Sequence, residues 1–179
     1  MTPEGRKFAF KKSLACGPAT IVLTALIMYF TMAKAYDASP TDLLGMSALG
    51  GTVFVTAMIC TCIQYPLVGS MFKKQFAGGE QLPDMGKREQ QIQFWSWIPA
   101  NWLCYNIVIS AFAGILFGSG VPAFLASWGI NPGGIGRLGY ALLSGVINGI
   151  GTWFAVYLSQ FYLIQLFNEK AAKAVALED

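Results

Sequence analysis

The chain has 179 residues, of which 55% are hydrophobic and 12% charged, against about 25% charged in a typical soluble domain. This composition excludes an ordinary soluble domain and indicates a protein that lies in a lipid bilayer. The net charge of +3 does not indicate a nucleic-acid partner, because the basic residues lie beside apolar stretches rather than in one patch.

Four apolar runs cover residues 14–36, 43–71, 94–118 and 138–167. Each is longer than the roughly 20 residues that cross a hydrocarbon core of about 30 Å. Apart from Lys34, two residues before the end of the first run, no charged side chain lies within a run. We therefore predict an all-α, polytopic membrane protein with four transmembrane helices in a single membrane domain, 1–179.

The basic residues predict the orientation of the four spans. Ten of the 12 basic residues precede the first span, lie between the second and third, or follow the fourth, and only Lys34 and Arg137 lie in the other two loops. Cytoplasmic segments carry this excess of Lys and Arg. We expect a multi-pass protein of a bacterial inner (plasma) membrane with both termini in the cytoplasm.

The first two spans form a predicted helical hairpin, 14–72, followed by a polar cytoplasmic linker, 73–93. Pro18 falls in the first turns of its helix, where a missing N–H costs little. Pro66 falls in the last turns of the second span, where it should kink the helix or end it early.

The last two spans form a second predicted hairpin, 94–168. A Gly/Pro-rich stretch, 118–136, is predicted to form an outer loop that either enters the membrane–water interface or covers the bundle. In the fourth span, Ser144, Asn148 and Thr152 recur every four residues, which places them on one helix face. We expect this face to meet other helices, and the rest of the chain to be arranged around it.

The two halves resemble each other. Gln64-Tyr65-Pro66-Leu67 matches Gln160-Phe161-Tyr162-Leu163, and each second helix carries small or polar residues every four positions before its glutamine. Because both hairpins run in the same direction, we predict a parallel repeat with a pseudo-two-fold axis along the membrane normal.

Each half also resembles a known family. The step Pro66-Leu67-Val68 before Lys73-Lys74 is similar to the end of the second helix in a small two-helix bacterial inner-membrane domain of unknown function. The resemblance implies a tandem copy of that domain and no particular activity. The second half departs from the pattern, because Tyr162 stands where the proline is expected.

Little in the sequence indicates catalysis. There is no histidine, no acidic residue inside a span and no nucleotide-binding motif, so we predict no catalytic residue, metal or cofactor. We interpret the cysteines as small packing residues. A soft-metal site formed by Cys16, Cys62 and Cys104 requires three helices to converge at that point. A membrane enzyme or redox protein that uses Tyr105, Trp153 and the cysteines stays open as a third class.

Uncharged polar residues inside the spans are the candidate site. The predicted solute-binding residues are Gln64, Asn101, Asn106, Asn148, Thr152 and Gln160. They are open to two interpretations: hydrogen bonds that hold helices together, or the lining of a polar cavity on the pseudo-axis. The predicted helix-packing residues are Gly50, Gly114, Gly118, Gly145 and Gly149, which suit either close contacts within one subunit or an oligomer interface.

Two functions are compatible with these patterns. The first is a small transporter or channel, as a homo-oligomer, for a small uncharged or weakly charged solute, with the amides between the hairpins and the loop 118–136 as a gate. The alternative is a non-catalytic accessory subunit whose amides and glycines bind a partner membrane subunit.

Overall fold

The computed structural model describes residues 2–31, 49–76, 101–129 and 136–175, and these residues are helical with no strand. The helices are α1 (Pro3–Ser13), α2 (Cys16–Thr31), α3 (Leu49–Phe76), α4 (Trp102–Ala113), a π-helical segment (Gly114–Gly120), α5 (Val121–Ser127) and α6 (Gly136–Val175). Four stretches are long and apolar enough to span a membrane: Pro3–Phe30, Leu49–Lys74, Trp102–Ser127 and Gly136–Asn168. The prediction of an all-α chain with four helices long and apolar enough to cross a membrane is confirmed.

The fourth span is the centre of the bundle. Helix α6 packs against α1, α2, α3, α4 and the π segment. More than half of its spanning window is buried, 56%, compared with 28–33% for the other three. Helix α2 packs mainly on α6 and has little contact with α3, whereas α4 and the π segment pack on α3. Helix α2 therefore lies on one side of α6, and on the other side α3 and the third span pack against α6 and against each other.

Helix α2 shows why the sequence assembles in this way. Its large side chains face outward, with Val22 and Leu23 each 60% exposed and Phe30 70% exposed. Its inward face carries Thr20 and Thr24, which are both buried. In a bilayer large apolar groups are solvated by lipid, so small and polar residues are the ones that form helix contacts.

The first span begins earlier than predicted, because the basic N-terminal segment is itself helical. The Thr2 hydroxyl accepts a hydrogen bond from the Gly5 N–H, 3.1 Å, and caps α1, while Pro3 occupies the first turn, where its missing N–H is not needed. The helix is interrupted by a turn at Leu14 and Ala15 and continues as α2. The predicted start at residue 14 lies within two residues of the start of α2, and the helical stretch that contains it begins at Pro3.

Two further boundaries differ from the prediction. Helix α3 continues for ten residues beyond Pro66, so that proline does not end it. The third span runs through the π segment and α5 to Ser127, so the first part of the predicted loop 118–136 is helical. Pro122 lies in the first turn of α5, where proline is tolerated. The rest of that loop falls partly, and the linker 73–93 mostly, outside the described residues.

Candidate functional site

The first of three buried amide groups joins α3 to α4. Asn106 is fully buried, and its Oδ1 accepts hydrogen bonds from the Thr61 hydroxyl and, at 3.2 Å, from the Ser110 hydroxyl. Its Nδ2 lies 2.8 Å from the Cys62 sulfur and 3.4 Å from the Met58 carbonyl oxygen. Both the donor and the acceptor side of this amide are therefore satisfied by the protein.

The second group joins three helices. Asn148 of α6 is fully buried, and its Nδ2 donates to the Thr24 hydroxyl of α2 at 2.6 Å and lies 3.3 Å from the Thr56 hydroxyl of α3. Its Oδ1 accepts from the Thr152 hydroxyl at 3.4 Å. Asn148 thus links the two helices on either side of α6, as expected of a polar residue that stabilises a membrane bundle.

The third group is a pair of glutamines. The Gln160 Nε2 of α6 donates to the Gln64 Oε1 of α3. Gln64 is 8% exposed and Gln160 is 2% exposed, but the Gln160 Oε1 has no hydrogen-bond partner. Among the predicted amides, this pair is therefore the one in which an amide oxygen has no hydrogen-bond partner.

Asn101 is not brought together with the other predicted solute-binding residues. It is exposed and forms the N-cap of α4, with its Oδ1 accepting from the Leu103 N–H at 2.9 Å. A helix N-cap satisfies one of the four free N–H groups at a helix start, which explains an asparagine at this position.

The buried face of α6 carries two further unpaired hydroxyls. Ser144 and Ser159 are both buried, and neither hydroxyl oxygen has a partner. Ala155 and Val156, both fully buried, lie between Thr152 and the Ser159–Gln160 end. The polar face of α6 therefore has two parts, separated by an apolar turn.

Sequence reasoning missed Thr61 and Thr24 as partners of the buried asparagines. Thr61 follows Leu49, Val53 and Ala57, which are fully buried and recur every four residues on α3. Continuing that register to residue 61 would have placed the threonine toward the bundle.

An aromatic cluster lies beside the glutamine end of α6. Tyr162 and Tyr105 stack with ring centroids 3.7 Å apart and planes 12° from parallel, and Trp102 stacks on both. Both tyrosines are nearly fully buried. Tyr162 stands where the resemblance expects proline, and its ring packs α6 against α4.

The predicted packing glycines form two close helix contacts. A Cβ at Gly145 would lie 2.7 Å from the Ile21 carbonyl oxygen, and one at Gly149 would lie 2.9 Å from the Gly17 carbonyl oxygen. At these two glycines α6 packs closely against the backbone of α2. A Cβ at Gly114 would lie 2.9 Å from the Gly50 carbonyl oxygen, and one at Gly118 would meet the Gly50 backbone. At these two glycines the third span packs closely against α3. These glycines pack helices within one chain.

The cysteines do not converge. In the part of the chain that the structure describes, no three His, Cys, Asp or Glu side chains are placed to hold a metal ion. Cys16, Cys60, Cys62 and Cys104 are all free thiols. The Cys62 sulfur instead lies beside the Asn106 amide.

The fold and these polar groups define an integral membrane helical bundle with interhelical amide contacts in its interior. No protein-family model, curated protein or solved structure matches this chain.

Proposed function

We propose that this protein is a small transporter or channel of a bacterial inner membrane, with both termini in the cytoplasm, for a small uncharged or weakly charged solute. The solute would move along the buried face of α6. Ser144, Asn148, Thr152, Ser159 and Gln160 cover about 24 Å of that helix, at 1.5 Å per residue, out of a hydrocarbon core of about 30 Å.

The observation that carries the proposal is the unpaired Gln160 Oε1 beside Gln64. An unsatisfied polar atom inside a bilayer costs several kcal/mol, so a site that leaves one open is suited to a hydrogen-bond donor from outside the protein. In this proposal Gln64 and Gln160 contact the solute, with Ser159 beside them. Asn106 and Asn148, whose amides are already bonded, hold the helices that form the path.

The apolar turn of Ala155 and Val156 supplies a gate in this scheme. Hydrophobic constrictions close pores by excluding water, and these two residues separate the polar groups around Asn148 from those around Gln160. A polar substitution at Val156 is then expected to raise leakage of small solutes.

The orientation and the repeat belong to the same proposal. The N-terminal helix and the far ends of α3 and α6 lie at one end of the bundle, because Ala9, Val68 and Leu163 share an apolar cluster. That end carries the basic segments, which supports a cytoplasmic location. The repeat, and with it the tandem two-helix domain, is supported by Gln64, which bonds to its predicted equivalent, Gln160.

The test is solute flux through reconstituted vesicles. Proteoliposomes are mixed with hyperosmotic water, urea or glycerol, and the recovery of vesicle volume is followed by light scattering. Gln64→Met with Gln160→Met removes both amides together, which keeps the bundle folded because no partner is left unpaired. We expect the native chain to accelerate recovery with one of these solutes and the double variant to lose that acceleration.

The matched control is Ile63→Met with Leu142→Met. These residues lie on the same two helices, and both are about half exposed on the lipid-facing surface, 52% and 51%. Flux should be unchanged in this control. Undiminished flux in the glutamine double variant, with the protein folded and inserted, would exclude the glutamine pair as the solute site.

The second candidate function is a non-catalytic subunit of a larger membrane complex. It is favoured by the complete bonding of Asn106 and Asn148 within the chain, and by a cleft of about 260 Å³ on the outer side of the α3–π contact, lined by Gly51, Phe54 and Ile115 among others. Purification in a mild detergent distinguishes the two. A stoichiometric companion chain supports the subunit, and a homo-oligomer of constant mass supports the transporter.

A further inference from the structure

A groove lies between the N-terminal helices and α6. Beside the turn between α1 and α2 lies a cavity of about 300 Å³, whose walls are Phe10, Leu14, Pro18, Ile21, Ile150 and Trp153. Its floor is the close contact of Gly17 with Gly149. The rings of Phe10 and Trp153 meet edge to face at 5.8 Å and fix one end of the groove.

The dimensions suit a single hydrocarbon chain. From Phe10 to Ile21 the groove follows eleven residues of helix, about 16 Å at 1.5 Å per residue. That is close to half of a hydrocarbon core of about 30 Å, the depth that one acyl chain covers in its own leaflet. The walls are apolar, and Leu14 and Ile150 remain 51% and 43% exposed.

Helix α1 carries several cations next to the groove in the helix register. Arg6 and Lys7 lie four and three positions before Phe10, and Lys11 lies three positions before Leu14, so the helix register places these cations beside the face of α1 that borders the groove. All three are exposed. Helix α1 carries one carboxylate, Glu4. A fourth cation, Lys12, lies over the Phe8 ring at 5.4 Å, on a different part of the helix surface.

We propose that this groove is a binding site for one anionic phospholipid. One acyl chain lies between α2 and α6 along Leu14, Ile21 and Ile150, and the headgroup phosphate is bound by Arg6, Lys7 and Lys11. The apolar walls bind the acyl chain, and the cations bind the anionic headgroup, because a basic residue near an anionic leaflet contributes favourably to lipid binding. The site is independent of the glutamine pair and of any transport activity.

Native mass spectrometry of the full chain tests the proposal. The purified protein is titrated in detergent with dioleoyl phosphatidylglycerol and, separately, with dioleoyl phosphatidylcholine. We expect one phosphatidylglycerol to bind at least about tenfold more tightly than phosphatidylcholine. Equal affinities for the two lipids would overturn the charged part of the site.

Two pairs of substitutions locate the headgroup. Arg6→Gln with Lys7→Gln should weaken phosphatidylglycerol binding by about tenfold or more, since each cation near the lipid surface contributes roughly fivefold. The matched control, Lys73→Gln with Lys74→Gln, removes the same charge at the end of α3 and should leave binding unchanged. An equal loss in both pairs would mean diffuse attraction to positive charge and would overturn the site.

A bulky substitution locates the acyl chain. Ile150→Trp fills the groove and should weaken binding of both lipids, whereas Leu142→Trp, on the same helix outside the groove, should not. If Ile150→Trp does not fold, Leu14→Trp fills the groove from the opposite wall. Unchanged lipid binding in a folded groove-filling variant would overturn the proposal.

Discussion

Gln64 and Gln160, 96 positions apart in the chain, are hydrogen-bonded to each other inside the bundle. They lie on α3 and α6, the two helices that pack at its middle. A residue that lies on a two-fold axis meets its own equivalent, so a bond between two matching glutamines is the contact that an internal repeat would produce. The same bond leaves one Gln160 oxygen unpaired, which separates this pair from the other buried amides.

The glutamine pair should show strong coupling in a double-mutant cycle. Gln64→Met leaves the Gln160 amide, 2% exposed, without any partner and should destabilise the protein by about 1–2 kcal/mol. Gln160→Met should cost less, because it also removes an oxygen that is already unpaired. The double variant should unfold close to the native temperature in detergent. Additive effects of the two changes would contradict this pairing.

Asn148 should matter for stability more than any single hydroxyl around it. Asn148→Leu removes bonds to both α2 and α3 and leaves Thr24 and Thr152 without their amide partner, at an expected cost of about 1–3 kcal/mol. Ser144→Ala, one turn away, removes a buried hydroxyl with no partner and should be neutral or slightly stabilising. Thermal unfolding in detergent compares the two variants, and a similar loss in both would show that the Asn148 bonds contribute little.

The glycines of the π segment should differ sharply in their tolerance of a methyl group. A Cβ at Gly118 would lie 2.5 Å from the Gly50 Cα and 2.7 Å from the Leu49 carbonyl oxygen, so Gly118→Ala must push two backbones apart. We expect a loss of about 1–3 kcal/mol.

Gly120→Ala is the control for this contact. The nearest atom to its Cβ is the Ile115 carbonyl oxygen at 3.4 Å, and alanine is favoured over glycine in a helix by up to about 1 kcal/mol. Gly120→Ala should therefore be neutral or stabilising in the same unfolding measurement. Equal losses at the two glycines would show that helix separation is not the cause.

Arg137 should hold the end of α2 to the start of α6. Its Nε donates to the Tyr29 carbonyl oxygen at 2.7 Å, a second guanidinium nitrogen donates to the same oxygen, and the guanidinium lies 4.4 Å from the centre of the Tyr29 ring. This carbonyl lies in the last described turn of α2, so the guanidinium joins that turn to the start of α6.

Arg137→Met should therefore expose the last turn of α2. Amide hydrogen exchange is expected to become faster at residues 27–31, with little change in the overall unfolding temperature because Arg137 is exposed. Arg137→Lys keeps the charge but not the planar, two-pronged contact, so it should restore only part of the protection. Unchanged exchange in the methionine variant would exclude a capping role.

The four spans and the helix around which the others pack could be predicted from the amino-acid sequence alone. Uninterrupted apolar length decides whether a segment crosses a bilayer, and Ser144, Asn148 and Thr152 at a four-residue spacing mark a helix face that cannot be left to lipid. Thr2 and Pro3 are also a helix-start signal in the sequence, because threonine is a favoured N-cap and proline a favoured first helical residue.

Which buried amides have all their hydrogen bonds could not be predicted from the sequence and depends on how the helices pack. Asn106 and Gln160 look alike in the sequence, since both are uncharged amides inside apolar spans. Their difference depends on partners 44–45 and 96 positions away: Thr61 and Cys62 complete the bonding of Asn106, while Gln64 bonds one side of Gln160 and leaves the other open. Hydrogen bonding requires two atoms to meet within about 3 Å, and periodicity along one helix does not fix the rotation of the helix beside it.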